Sequence, residues 1–265
     1  HLVEIIATDK TDKTVVDSLT ELLTSTLGKG VVNAKDTPNF IANRIGVFSI
    51  LCTIYHGMKF NIPLETLDAL TGTLIGRAKS ATLRTADVVG LDTLNHTVNT
   101  MKNGLPDDPW HKHYQLPKWL LGLIEAGALG QKTRAGIYKK EGKDIKILDF
   151  NKGQYRIQNP EIQPEVLKIL KNKNASERME QLRNLKDSDQ AQFLWSMYRD
   201  LFHYSANHLA DIADNARDID FAIRWGFGWK QGPFEIWQDA GWEKVTAWLN
   251  QDMKEGKTMI HKALP

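Results

Sequence analysis

The sequence holds one cysteine, Cys52, in 265 residues. That excludes an internal disulfide and a thiolate zinc cage. No apolar run reaches the ~20 residues that span a bilayer, and no signal-peptide pattern opens the chain. Charge of one sign is not in excess: 34 basic against 32 acidic residues leave +2, which gives no electrostatic case for nucleic acid or a membrane surface. Also missing is Gly-x-Gly-x-x-Gly between a strand and a helix, the turn whose amides hold a pyrophosphate. The nearest cluster, Gly226-Phe-Gly228-Trp-Lys-Gln-Gly232, has the wrong spacing and reads as a helix-end turn. What remains, 42% hydrophobic and 25% charged, suits a globular protein of one large or two medium domains in a reducing, cytoplasmic setting.

The chain opens on His1 rather than Met, directly in an apolar run, His1-Leu-Val-Glu-Ile-Ile6, which suits a strand covered on both faces. Thr14 to Leu27 carries a 3.6-residue stripe of Val15, Val16, Leu19, Leu22, Leu23 and Leu27, stopped by Gly28 and Gly30. Val31 to Ala34 is a second short strand. Two strands make no stable sheet alone, so residues 1–36 read as the tail of a nucleotide-binding domain whose body lies outside the chain. The Ala263-Leu-Pro265 end likewise reads as a mid-chain stop.

Asp36-Thr-Pro-Asn-Phe-Ile-Ala-Asn-Arg44 is the most informative stretch. Thr37 suits a helix N-cap and Pro38 a first helical position. The following helix, through Phe40, Ile41, Ile45, Val47, Phe48, Ile50, Leu51, Cys52, Ile54 and Tyr55, is apolar nearly all round, as in a helix inside a domain. Asn43 and Arg44 in its first turns then need partners. An amide bonded to a neighbouring loop and a functional amide both satisfy that requirement. Downstream, helices are expected at Pro63–Leu70, Leu91–Met101 and Pro117–Ala128. Gly136 to Ile157 reads as a small β-meander or hairpin. Residues 158–188, rich in both charges, read as a solvated linker with helical turns.

The stretch at 36–44 resembles the segment that opens the C-terminal helical domain of 3-hydroxyacyl-CoA dehydrogenases. Three further stretches agree, in order, over residues 1–140. His1 to Ile6 resembles the strand after that family's catalytic histidine. Leu83-Arg-Thr-Ala-Asp-Val-Val-Gly-Leu-Asp92 resembles Phe-Arg-Leu-Ala-Asp-Leu-Val-Gly-Leu-Asp, and Gly130-Gln-Lys-Thr-Arg-Ala-Gly-Ile-Tyr138 resembles Gly-x-Lys-Thr-Gly-x-Gly-Phe-Tyr.

The resemblance implies roles for three residues. Glu4, which by itself could be an edge-strand carboxylate facing water, would hold the catalytic histidine's imidazole in one tautomer. The other ring nitrogen could then take the proton from the substrate's 3-hydroxyl, while hydride passes from C3 to NAD. Asn43 would position the reacting part of the acyl thioester, and Lys132 would reach the cofactor. The NAD itself would be held mainly by an N-terminal domain outside this chain, as would the histidine, since none of the eight histidines present has its context. Two departures stand out: Arg134 replaces the first glycine of the Lys-Thr-Gly-x-Gly turn, and Ile137 the usual phenylalanine. If that glycine needs positive φ, Arg134 is strained or the turn differs. No metal site is expected, and His111 and His113 read as surface residues.

The last 77 residues repeat the first helical region. Phe234-Glu-Ile-Trp-Gln-Asp-Ala-Gly-Trp-Glu243 aligns with Leu83 to Asp92, and Ile219-Asp-Phe-Ala222 with Leu67-Asp-Ala-Leu70. The second copy has no Asn-Arg pair; Phe193-Leu-Trp-Ser-Met-Tyr198 stands on its first helix. The expected architecture is mainly α: a Rossmann-domain remnant at 1–36, a first dehydrogenase C-terminal-like helical domain at 37–157, a linker at 158–188 and a second repeat at 189–265. Tryptophans 195, 225, 229, 237, 242 and 248 would fill the core of the second repeat and its contact with the first, giving an intramolecular pseudo-dimer. By resemblance the substrate is an acyl-CoA, and the parent protein could carry a fused enoyl-CoA hydratase-like domain. A non-catalytic helical scaffold is the alternative.

Overall fold

A computed structural model describes residues 1–265. The elements are β1 (Leu2–Ile6), α1 (Lys13–Glu21), β2 (Gly30–Ala34), α2 (Ala42–Lys59), α3 (Leu64–Leu70), α4 (Leu83–Val89), α5 (Leu91–Gly104), α6 (Lys118–Glu125), β3 (Tyr138–Glu141), β4 (Asp144–Asp149), β5 (Gln154–Ile157), α7 (Pro164–Leu170), α8 (Ala175–Asn184), α9 (Asp189–Ile212), α10 (Ala216–Phe227) and α11 (Pro233–Lys254). The chain is mainly α, and none of its helices is long and apolar enough to cross a membrane. It divides into two compact units, His1–Phe48 with Arg199–Pro265, and Ser49–Tyr198. Each unit thus takes one half of α2 and one half of α9.

In the first unit β1 and β2 pair in parallel, with Glu4 opposite Val32. Ile5 and Val32 are buried and the rest of β1 is half-buried, less covered than its apolar sequence suggests. Helix α10 lies against this pair. The close approach is set by Gly30, where an added Cβ would stand 2.3 Å from the Trp225 ring. Gly46 on α2 does the same for Phe227, at 2.1 Å. Helix α1 buries no residue, and Val15, Leu19, Leu22 and Leu27 of its stripe are exposed. The C-terminal tail is strapped to a buried polar row on α9. Arg199 donates to the Lys257 carbonyl, the Met259 amide donates to Asp200, and His203 Nε2 lies 2.6 Å from the Lys262 carbonyl.

In the second unit β3, β4 and β5 form the expected antiparallel meander, with β4 against α3. Residues 158–188 are not a solvated linker. They form α7 and α8, which bury Val166, Ile169, Leu170, Met179 and Leu182, because the apolar residues between the charges recur at helical spacing and find a core. Cys52 is fully buried, as expected of an inert core thiol. Of the tryptophans, Trp195 and Trp237 are fully buried and Trp229 nearly so, but Trp225 and Trp242 are partly exposed.

The repeat is visible in one device used twice. In the second unit the buried Asp68 accepts hydrogen bonds from the amides of Thr82, Leu83 and Arg84, at 3.0, 2.6 and 3.0 Å, and so caps α4. In the first unit Asp220 accepts from Phe234 and Glu235, at 2.9 and 3.2 Å, at the start of α11. Gly90 at φ 101° breaks α4 from α5, and Gly241 at φ 98° kinks α11. The residues aligned in the sequence therefore do the same local work.

Candidate functional site

The helix at the centre of the site starts later than its sequence suggests. Residues 37–41 form a turn with Asn39 and Phe40 in the left-handed region (φ 66° and 49°), and α2 begins at Ala42. Thr37 does not cap it; its hydroxyl makes no hydrogen bond. The cap is Glu4. Its Oε1 accepts from the amides of Ile41 and Ala42 at 2.8 and 3.0 Å, satisfying two donors that a helix start leaves open. The negative charge also sits at the positive end of the helix. A carboxylate 37 residues upstream displaces the local cap because the turn at 37–41 aims these amides at β1. Burial raises the Glu4 pKa, with the two amide bonds working against that rise.

Asn43 follows the capped amides directly. It is exposed, not buried, and its side chain makes no hydrogen bond, so the amide has no structural partner to serve. Arg44, the next residue, is the buried member of the pair. It donates from Nε to the Tyr204 hydroxyl at 2.8 Å and lies 3.3 Å from His208 Nδ1. Phe48 stacks on Tyr204 with ring centroids 3.6 Å apart. Burial first, then the Arg44 charge, pushes the His208 pKa down to about 3, so this imidazole stays neutral. The network locks the first turns of α2, and so fixes where Asn43 points.

Lys132 lies in the other unit, on a short 3-10 turn, Gln131–Thr133. Its Nζ is held by Asp92, at 2.6 and 2.7 Å from the two carboxylate oxygens. That contact draws the Asp92 pKa down. The ion pair is half-exposed. Gly90 leaves room for it: an added Cβ there would stand 2.9 Å from Asp92 Oδ1 and 3.2 Å from Lys132 Nζ. The structure thus places Glu4 beside the amides that precede Asn43, and leaves Lys132 on its own ion pair.

Asp87, within the Leu83 to Asp92 motif, carries no local sign of its role in the sequence. Its two oxygens accept from the amides of Ile137 and Tyr138 at 2.9 and 2.7 Å, so it ties the 83–92 segment to the 130–138 segment. Tyr138 donates its hydroxyl to Asp68 at 2.7 Å. The glycines of the second motif answer to these contacts: a Cβ at Gly136 would meet Asp87 Oδ1 at 2.3 Å, and one at Gly130 the Asp87 carbonyl at 2.3 Å. Arg134, at φ 59°, keeps the left-handed conformation that the usual glycine adopts freely. Ile137 is fully buried. Burial raises Asp68 and Asp87 to about 6 and Asp220 to about 7. The signal for Asp68 and Asp220 was their alignment with each other across the repeat. His111 and His113 hold local structure, the first with Nδ1 3.0 Å from the Leu105 carbonyl, the second edge-on to Tyr55.

Residues 40–140, which contain Asn43, the Asp87 clamp and the Lys132–Asp92 pair, match the family described as 3-hydroxyacyl-CoA dehydrogenase, C-terminal domain. Over residues 40–140 the chain is similar to a 3-hydroxyacyl-CoA dehydrogenase C-terminal domain. A probable 3-hydroxyacyl-CoA dehydrogenase of Bacillus subtilis is 39% identical over 250 residues, 94% of this chain and 31% of that protein. A putative fatty acid oxidation complex trifunctional enzyme of Rickettsia felis is 28% identical over 254 residues, 92% of this chain and 34% of that protein. The chain therefore spans about a third of the length of these relatives. The crystal structure of a 3-hydroxybutyryl-CoA dehydrogenase from Escherichia coli superposes with a TM-score of 0.66 at 17% identity, covering 98% of this chain and 65% of that one. That likeness shows the fold alone.

Proposed function

We propose that this chain is the segment of an NAD-dependent 3-hydroxyacyl-CoA dehydrogenase that supplies an orienting carboxylate and a substrate-positioning amide for the oxidation of a 3-hydroxyacyl-CoA to a 3-ketoacyl-CoA, in a cytoplasmic setting. One observation carries this reading. Glu4 is fixed through Oε1 to the start of α2, its Oε2 makes no hydrogen bond, and the neighbouring Asn43 amide is exposed without a partner. A carboxylate held by one oxygen can accept an imidazole N–H with the other, fixing tautomer and ring orientation, and a histidine so held is a general base for a hydroxyl proton. We place that histidine on a part of a longer protein. Asn43, free of structural duty, donates to or accepts from the acyl thioester.

The residues present do not make a dinucleotide site by themselves. The sequence has no Gly-x-Gly-x-x-Gly, and Lys132, the contact that the resemblance implies, is already paired with Asp92. NAD is therefore assigned to the longer protein, with Lys132 at its edge. A fused hydratase-like domain in that protein would agree with the trifunctional name of the Rickettsia felis relative. The two repeats are read as an intramolecular pair. Support comes from α2 and α9, which meet in opposite directions: Phe48 stacks on Tyr204, while Cys52 Sγ lies 3.7 Å from the Met197 carbonyl.

The test is steady-state kinetics of the longer protein with Glu4→Gln and Asn43→Ala. Each should lower kcat by on the order of 10²-fold, the cost of losing a base's orienting partner or a substrate's positioning group. A wild-type kcat for Glu4→Gln would leave Glu4 as a helix cap and favour the scaffold.

A further inference from the structure

A concave pocket of about 580 Å³ opens in the second unit between α4, the Gln131–Thr133 turn and the β3–β4 hairpin. Three cations from three elements line it: Arg84, Arg134 and Lys140. The Arg134 and Lys140 side chains make no hydrogen bond or ion pair. The Arg84 guanidinium lies over the Tyr138 ring, 5.5 Å from its centroid, and has no carboxylate partner. The acid in the lining, Asp87, has both oxygens engaged by the Ile137 and Tyr138 amides. Lys139, also in the lining, is paired with Glu141. The neutral amides do not cancel the Asp87 charge, which acts on Arg84, but Arg134 and Lys140 leave positive charge in excess in this concavity, and a walled cleft of one sign concentrates ions of the other.

A second observation is independent of charge. Arg134 stands at φ 59°, where an L side chain is strained and where the resembled motif has glycine. Strain kept at the mouth of a pocket points to use of the side chain rather than to folding. Three separate cations exceed what one carboxylate can satisfy. They match a group with two or more charges and several acceptor oxygens, for which arginine forks are suited. Beside them Val88 and Ile145 are 57% and 38% exposed, an apolar wall for the uncharged remainder of such a ligand.

We propose that this pocket binds an organic diphosphate, the class to which nucleoside diphosphates belong, with Arg84, Arg134 and Lys140 on the phosphates and Val88 and Ile145 against the nucleoside. The proposal does not rest on the dehydrogenase reading.

Calorimetric titration of the 265-residue chain with ADP and with inorganic pyrophosphate tests it. ADP binding that weakens as salt is raised is expected. Arg134→Gly should weaken it by about tenfold or more while leaving Tm unchanged or higher, because glycine accepts that φ freely. The double variant Arg84→Gln, Lys140→Gln should weaken it further, with circular dichroism reporting an intact fold. Pyrophosphate should bind more weakly than ADP, and equal affinity would overturn the assignment of the nucleoside to Val88 and Ile145. No binding of either at millimolar concentration, or binding unchanged by these variants, would overturn it.

Discussion

Glu4 Oε1 lies 2.8 Å from the amide nitrogen of Ile41, which makes one carboxylate both the cap of α2 and the proposed partner of a catalytic imidazole. The two duties separate by substitution. Glu4→Gln keeps an acceptor for the amides and should cost only a few tenths of a kcal/mol, whereas Glu4→Ala removes the cap and should cost about 1 kcal/mol. Asn43→Ala should leave stability unchanged. Urea titration of the 265-residue chain reads all three, and equal losses for Gln and Ala would show that Glu4 does not cap through hydrogen bonds.

The buried carboxylates give a pH signature. Asp220 keeps its proton in the folded state up to about 7 against an ordinary value of 3.8, so between those limits the folded chain binds more protons than the unfolded one. Its contribution is then fully present below pH 4 and lost as pH rises through 7. His208, held down to about 3 from 6.5, has the opposite sign: its contribution is lost as pH falls through that window. The Tm difference between wild type and Asp220→Asn should shrink from pH 4 to 7, while that between wild type and His208→Gln should grow. Parallel melting curves across that range would remove both shifts.

Gly46 lets Phe227 of α10 sit on α2. Gly46→Ala gains helix propensity but drives a methyl group into that ring, and overpacking of this kind costs about 1–3 kcal/mol. A lower urea midpoint is expected. A higher one would mean that propensity outweighs the contact.

The proposed intramolecular pairing of the repeats predicts the behaviour of a shortened chain. Removing residues 189–265 should expose the partners of α9, including Phe48 and Cys52, and yield an insoluble or newly dimeric product. A well-behaved monomer in size-exclusion chromatography with light scattering would contradict the pairing.

The expectations the structure bears out and those it corrects divide along physical lines. The mainly α fold, the two short strands at 2–6 and 30–34, the small antiparallel sheet at 138–157 and the buried Cys52 follow from local periodicity and turn residues. So does the repeat, since Asp68 and Asp220 align before any geometry is known. Thr37 and Pro38 are adequate local signals for a helix start, and a distant carboxylate overrides them. The apolar neighbours of Asn43 point to burial, yet it falls on an open edge of the first turn. The charges of residues 158–188 hide a sparse apolar stripe whose burial needs the rest of the unit.

Sequence alone determined which groups this protein has to work with: a carboxylate on a strand, an amide and a guanidinium on a buried helix, a lysine on a glycine-bounded turn, and no phosphate-binding loop. Only the tertiary structure decided how they are spent. It gave Glu4 to the α2 amides, Arg44 to Tyr204 and His208, Lys132 to Asp92, and left Asn43 and Arg134 unpaired. The reason is that a hydrogen bond between residues far apart in sequence depends on where packing brings their backbones. Spacing and composition hold no record of that distance.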